Sequence, residues 1–189
     1  MSLRLFAAVR PPAFVLDQLD VVVEPRRSAD RNLRWARSDT WHLTLAFFGE
    51  VPHGRLDALT EAFDAVRGTP ILITLGGSGT FPNPAAARVL YLAVSSGAEQ
   101  LSALSRRVRT AADRAGVPSD NATHVPHLTL ARVRRPADLS RWLRIVDSFP
   151  DVTFTVESFA LIHSELRPSG PLYRILHTVD LTAREATQR

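Results

Sequence analysis

The tetrapeptide His-Leu-Thr-Leu occurs twice, at 42–45 in WHLTLAFFGE and at 127–130 in VPHLTLARV, each time inside an apolar run. Short runs of this kind read as strands. On a strand, residues two apart share a face. His42 and Thr44 therefore point one way, and Leu43 and Leu45 point the other way into a core. His127 and Thr129 repeat this, backed by Leu128 and Leu130. A chain that carries two such copies must build two anchored surfaces, each offering an imidazole beside a hydroxyl. If the two surfaces face each other, both pairs converge on one cleft.

The segments around the copies are duplicated in kind. Strand-like RLFAAV (4–9) is stopped by Pro11-Pro12, and AFVLDQLDVVVE (13–24) has helical spacing. HLTLAFFG (42–49) reads as a strand, and GRLDALTEAFDAVRG (54–68) as a helix with Leu56, Leu59, Phe63 and Val66 in register. PILITLGGSGTFPNP reads as a strand that breaks into a glycine-proline surface turn, and RVLYLAV as another strand. The clearest helix is AEQLSALSRRVRTAADRAG, with Leu101, Leu104 and Val108 on one side and Gly116 as its stop. A strand from His127, a helix over ADLSRWLRIVDSF, and a closing hairpin of VTFTVESFALIHSEL with PLYRILHTVDL around RPSG complete the chain. The expectation is an α+β fold: one domain over 1–189 with two pseudo-symmetric lobes, each an antiparallel sheet with helices outside, enclosing a central cleft.

Composition removes several chemistries. There is no cysteine, hence no disulfide, thiolate ligand or thiol nucleophile, which suits a reducing cytoplasm. All 23 basic residues counted as Lys+Arg are arginine. Without lysine there is no lysine adenylate, Schiff base or phosphate-loop lysine. No apolar run reaches the roughly 18 residues of a membrane span, and no signal-peptide pattern opens the chain. The net charge of +4 is carried by guanidinium groups and is compatible with phosphate-bearing partners. The stretch RRSADRNLRWAR (26–37) reads equally as a grip on an RNA backbone and as a solvated loop. His124 and His127 form His-x-x-His, but a strand sends them to opposite faces and no HExxH is present, so no metal site is expected. Ser164 lacks the setting of a hydrolase nucleophile.

Two imidazoles flanking a small space can act as a base and an acid near neutral pH. Threonine hydroxyls beside them can donate to non-bridging phosphate oxygens. That set suits in-line attack on a phosphodiester without a metal. It equally suits a binding module that holds a nucleotide or RNA end without turnover; only catalysis needs both rings.

These motifs and their surroundings resemble the two-histidine phosphoesterases, and within them the bacterial and archaeal RNA 2′,3′-cyclic phosphodiesterases known as 2′-5′ RNA ligases. RLFAAVRPP, RWARSDTWHLTLAFFGEV, GSGTFPNPAAARVLYLAV, HVPHLTLARV and SFALIHSELRPSGPLYRIL carry the resemblance over nearly the whole chain. It implies hydrolysis of a 2′,3′-cyclic phosphate to a 2′-phosphate, and reversible 2′-5′ joining of RNA ends without ATP, metal or other cofactor. It implies His42 as general acid, His127 as general base, Thr44 and Thr129 on the phosphate, and an arginine five residues past the second histidine, here Arg132. Strict alternation places Arg132 on the wrong face unless the strand bulges after Leu130; the other reading is a solvated edge arginine. Phe48 shares parity with His42 and reads either as a base-stacking platform or as a core residue. Tyr91, where the family often has tryptophan, is expected to lie outside the chemistry. The expected partners are RNA 3′ ends or small cyclic nucleotides, met by a cytoplasmic monomer.

Overall fold

The structure is a computed structural model that describes residues 1–120, 123–168 and 170–181. Its elements follow the apolar patterning closely. Strand β1 (Ser2–Val9) is buried from Leu5 to Val9, as a strand covered on both faces should be. Helix α1 (Ala13–Val23) buries Val15, Leu19 and Val23. A short β2 (Leu33–Trp35) precedes β3 (Leu43–Pro52). Helix α2 (Leu56–Asp64) ends earlier than its pattern, and β4 (Ile71–Phe81) and β5 (Ala87–Ser96) follow. Helix α3 (Ala98–Arg114) buries Leu101, Leu104, Ser105, Val108 and Ala112, one stripe at helical spacing. Gly97 (φ 82°) and Gly116 (φ 73°) bracket it in the left-handed region that other residues avoid. Then come β6 (His127–Ala137), α4 (Ser140–Asp147), β7 (Val152–Val156), β8 (Ser158–Arg167) and β9 (Gly170–Asp180).

The α+β class stands. The sheet is antiparallel throughout and runs β7-β4-β5-β6-β3-β1-β8-β9, with β2 added on β6. The expected pair of separate sheets is replaced by one continuous path. It narrows in the middle, where β3 and β6 share the single pair Leu43↔Leu128. Residues from all four helices join one large core with the inner face of this sheet. A second, small apolar cluster of Phe6, Ala8, Ala160 and Ile162 lies on the other face, with Phe47 and Tyr173 against it.

Two expectations need correction. The glycine-rich LGGSGTFP is not a surface turn. Gly76 to Thr80 continue β4 through a register shift between Leu75 and Ser78, and Gly79 lies against the Tyr91 ring, where a Cβ would sit 2.1 Å away. Glycine in a strand marks such bulges and close approaches. The segment read as one strand at 152–166 is two. Only Glu157 separates β7, at one end of the sheet path, from β8, near the other. On a flat sheet six strand spacings would part them by about 29 Å. Two consecutive Cα steps span at most about 7 Å. The sheet must therefore roll until its ends approach, and the rolled sheet leaves a concave face.

Candidate active site

The two motifs sit at the narrow middle of the sheet. Leu43 and Leu128 are paired and fully buried, so His42 and Thr44 flank one leucine and His127 and Thr129 the other, on the concave face. Both strands then bulge at the same point of the motif. Against β1, Ala8↔Thr44 is followed by Ala7↔Ala46, which leaves Leu45 as the extra residue. Against β5, Tyr91↔Thr129 is followed by Leu90↔Ala131, which leaves Leu130 as the extra residue. An extra residue reverses the alternation beyond it. Leu45-Ala46 and Leu130-Ala131 are accordingly buried in succession. The next residues, Phe47 and Arg132, turn to the cleft.

These bulges decide two residues that alternation left open. Arg132 reaches the cleft because the strand bulges at Leu130. Phe48 does not reach it: with 9% exposure it lies in the main core, its ring 6.0 Å from that of Phe63. Phe47 lines the cleft instead, beneath the guanidinium of Arg4 at 4.9 Å.

The histidines are held alike. Nδ1 of His42 lies 2.7 Å from the Thr40 carbonyl, and Nδ1 of His127 lies 2.7 Å from that of Val125. A carbonyl only accepts, so Nδ1 carries the proton in both rings and Nε2 is the working nitrogen. Two aromatic rings clasp each imidazole. Phe6 (4.9 Å) and Tyr173 (5.4 Å) hold His42; Phe81 and Tyr91 (both 5.0 Å) hold His127. Tyr91 thus belongs to the site after all, laid across Gly79 to reach His127. Burial pushes His42 down to about 4, with the charges of His127, Arg132 and Arg10 adding to it against the Thr40 hydrogen bond. His127 is lowered by burial and then by Arg132, against the Val125 hydrogen bond. Burial raises Tyr173 and Tyr91.

Both imidazoles and both threonines line one cleft of 880 Å³. Its charged lining is Arg4, Arg34, Arg37, Arg132 and Arg134, with no Asp or Glu among the lining residues. A concave wall of one sign focuses its field on an anionic ligand. Of the arginines in the 26–37 stretch, only Arg34 and Arg37 line the cleft, with Trp35 and Ala36 between them. Arg27 is bound to Asp20 and Glu24, and Arg26 lies over Phe149. Phe6, Phe81, Tyr173, Arg4 and Arg34 reach the site from other strands, and Arg134 lies beyond the bulge of β6 itself, so the alternation of one motif does not reveal them.

His124 has another task. Its Nε2 donates to the Thr44 carbonyl at 2.9 Å and its Nδ1 faces the Ser102 hydroxyl at 3.3 Å, so both nitrogens are engaged. Ser105, fully buried, donates to the Leu45 carbonyl at 2.5 Å, and Arg109 reaches the same oxygen at 3.4 Å. Arg109 is held by Asp120 at 3.0 Å, and the Asp120 amide donates to the Phe47 carbonyl at 3.0 Å. Helix α3 and the segment after it thus satisfy carbonyls that β3 would otherwise leave unpaired past Leu43. Among the described residues, no three His, Asp or Glu side chains gather as a metal-binding set. No described helix is long and apolar enough to cross a membrane.

A family model described as the 2′-5′ RNA ligase superfamily matches residues 15–167. An RNA 2′,3′-cyclic phosphodiesterase of Methanothermobacter thermautotrophicus is 32% identical over 178 residues, 92% of this chain and 96% of that protein. The crystal structure of TT0787 of Thermus thermophilus superposes with a TM-score of 0.74 at 31% identity, covering 94% of this chain and 97% of that one. That of E. coli LigT complexed with 3′-AMP gives a TM-score of 0.77 at 26% identity, covering 97% and 100%.

Proposed function

The chain belongs to the 2′-5′ RNA ligase superfamily, and from that premise we propose that it hydrolyses RNA 2′,3′-cyclic phosphate ends to 2′-phosphates, without a metal ion, by acid–base catalysis from two histidines. The observation that carries this reading is the shared cleft. Two imidazoles line it, each with Nδ1 tied to its own backbone, and its charged walls are all arginine.

In the proposed reaction, His127 Nε2 takes a proton from water, which attacks phosphorus opposite the ribose 3′ oxygen. The bond from phosphorus to that oxygen breaks, and protonated His42 gives its Nε2 proton to the leaving oxygen. Thr44 and Thr129 donate to the non-bridging oxygens, and Arg132 balances the charge that builds there. Burial holds the empty-site His42 neutral at pH 7. The negative cyclic phosphate favours an imidazolium, so the acid's proton arrives with the substrate. The same step with a ribose 5′ hydroxyl in place of water forms a 2′-5′ linkage and needs no ATP. The working unit is the single domain 1–189.

The test is incubation, in EDTA, with an oligoribonucleotide ending in a 2′,3′-cyclic phosphate. The expected product carries a 2′-phosphate. A 3′-phosphate product reverses the leaving group. Binding without turnover leaves a nucleotide-binding module, and activity restored by a divalent ion ends the metal-free reading. A small cyclic nucleotide as substrate is the second reading, supported by the similarity to LigT, which was crystallised with 3′-AMP.

A further inference from the structure

Arg34 on β2 stands directly opposite Arg132 on β6. Like charges facing each other across a ladder repel. Among the arginines that line the cleft, Arg37 is paired with Asp39. Arg34, Arg132 and Arg134 have no ion pair among the described residues, and all three line the carboxylate-free cleft. Three neighbouring guanidinium groups kept without a counter-charge await one from outside the chain.

Their order along β6 says where that charge lies. β2 pairs with β6 at Ala131 to Val133, on from the Leu43↔Leu128 junction, so the cleft runs from His127 and Thr129 past Arg132 to Arg34 and Arg134. Arg132 is close enough to lower both histidines. Arg34 is the partner of Arg132 on the neighbouring strand, and Arg134 stands two residues further along β6, on the side away from His127.

We propose that Arg34 and Arg134 form a second anion subsite for the phosphodiester immediately 5′ of the terminal cyclic phosphate. The preferred substrate is then an RNA chain of at least two nucleotides, not a cyclic mononucleotide. This rests on the cyclic phosphodiesterase reading above. A phosphodiester monoanion suits the site because guanidinium groups meet its two free oxygens in a planar fork.

The experiment compares kcat/KM for adenosine 2′,3′-cyclic phosphate and for the dinucleotide ApA ending in a 2′,3′-cyclic phosphate. Proteins are the wild type, R34Q, R134Q and the double variant; both positions are exposed, and circular dichroism monitors the fold. The wild type is expected to favour the dinucleotide by about tenfold or more, the worth of one charge-assisted contact. The double variant brings that ratio close to unity and flattens the salt dependence of dinucleotide hydrolysis by about one unit of log–log slope. A wild-type ratio near unity, or a ratio untouched in the variants, overturns the subsite while leaving the phosphodiesterase reading in place. Equal loss on both substrates overturns it too, by placing these arginines at the scissile phosphate. A wild type inert toward both substrates removes the reading beneath, and the subsite falls with it.

Discussion

The half of the site around His42 and the half around His127 start from the same five letters, His-Leu-Thr-Leu-Ala. Both bulge at the fourth residue, bury the fifth, fasten Nδ1 to the carbonyl two residues back, and wedge the imidazole between two aromatic rings. They part at the sixth residue, Phe47 in one copy and Arg132 in the other. They also part in what lies beneath. His42 stands on the apolar cluster of Phe6, Ala8, Ala160 and Ile162, whereas His127 heads the strand that carries Arg132 and Arg134. One backbone device, used twice, fixes where two nitrogens go. The surroundings then differentiate them, an aromatic and apolar wall on one side and a cationic wall on the other.

The strongest challenge to that differentiation is to remove each ring. His42→Ala and His127→Ala should each lower kcat on a cyclic phosphate by about 10²–10⁴-fold. A nucleoside nitrophenyl phosphodiester, whose leaving group departs without a proton, should separate them. His42→Ala is expected to recover most of the wild-type rate on it, and His127→Ala to stay inactive. Recovery by His127→Ala instead would exchange the two roles.

The sixth-position contrast comes next. Arg132→Ala should cost about 10–100-fold in kcat/KM, as loss of a charge-assisted hydrogen bond does, and Arg132→Lys should recover part of it. Phe47→Ala should act mainly on KM, through lost contact with the nucleoside. Matching kcat losses in both would erase the proposed division of the walls.

A pH profile reads the same contrast without changing the histidines. The active form has one imidazolium and one neutral imidazole. Both free-protein values lie below the ordinary 6.5, His42 at about 4. Raising the pH through them strips the acid of its proton, so kcat/KM should peak on the acid side of 6.5 and decline toward neutrality. Arg132→Ala removes a positive charge that lowers both rings, so the peak should move to higher pH. An unmoved peak would mean that this charge does not set the balance.

The smallest effect concerns the support of β3. Ser105→Ala removes a buried hydroxyl from the Leu45 carbonyl but leaves Arg109 there, which should reduce stability by about 0.5–1.5 kcal/mol in denaturant melts. A loss of several times that size would mean that Ser105 alone holds the bulge.

Much of this was legible in the sequence because it is local. Alternation in HLTL gave His42, Thr44, His127 and Thr129 a common face, and helical spacing gave α3 its buried stripe. Alternation leaves Phe48 undecided between cleft and core because a bulge is a property of two strands, invisible in the alternation of one; the structure decides for the core. The bulge's trace was present all the same: Leu45-Ala46 and Leu130-Ala131 put two apolar residues in succession where alternation asks for one. Tyr91, Tyr173 and Arg34 could not be placed, since the register of β5, β9 and β2 delivers them from far along the chain. The glycines of β4 looked like a turn because glycine signals an absent side chain. Here the vacated space is filled by a tyrosine ring from the next strand.

The lone Leu43↔Leu128 bridge is the seam where the two halves of the rolled sheet meet. The spacing of the two ring nitrogens therefore rests on one strand pair, on the common core packed beneath it, and on the Glu157 junction that ties β7 to β8 at the far side of the roll.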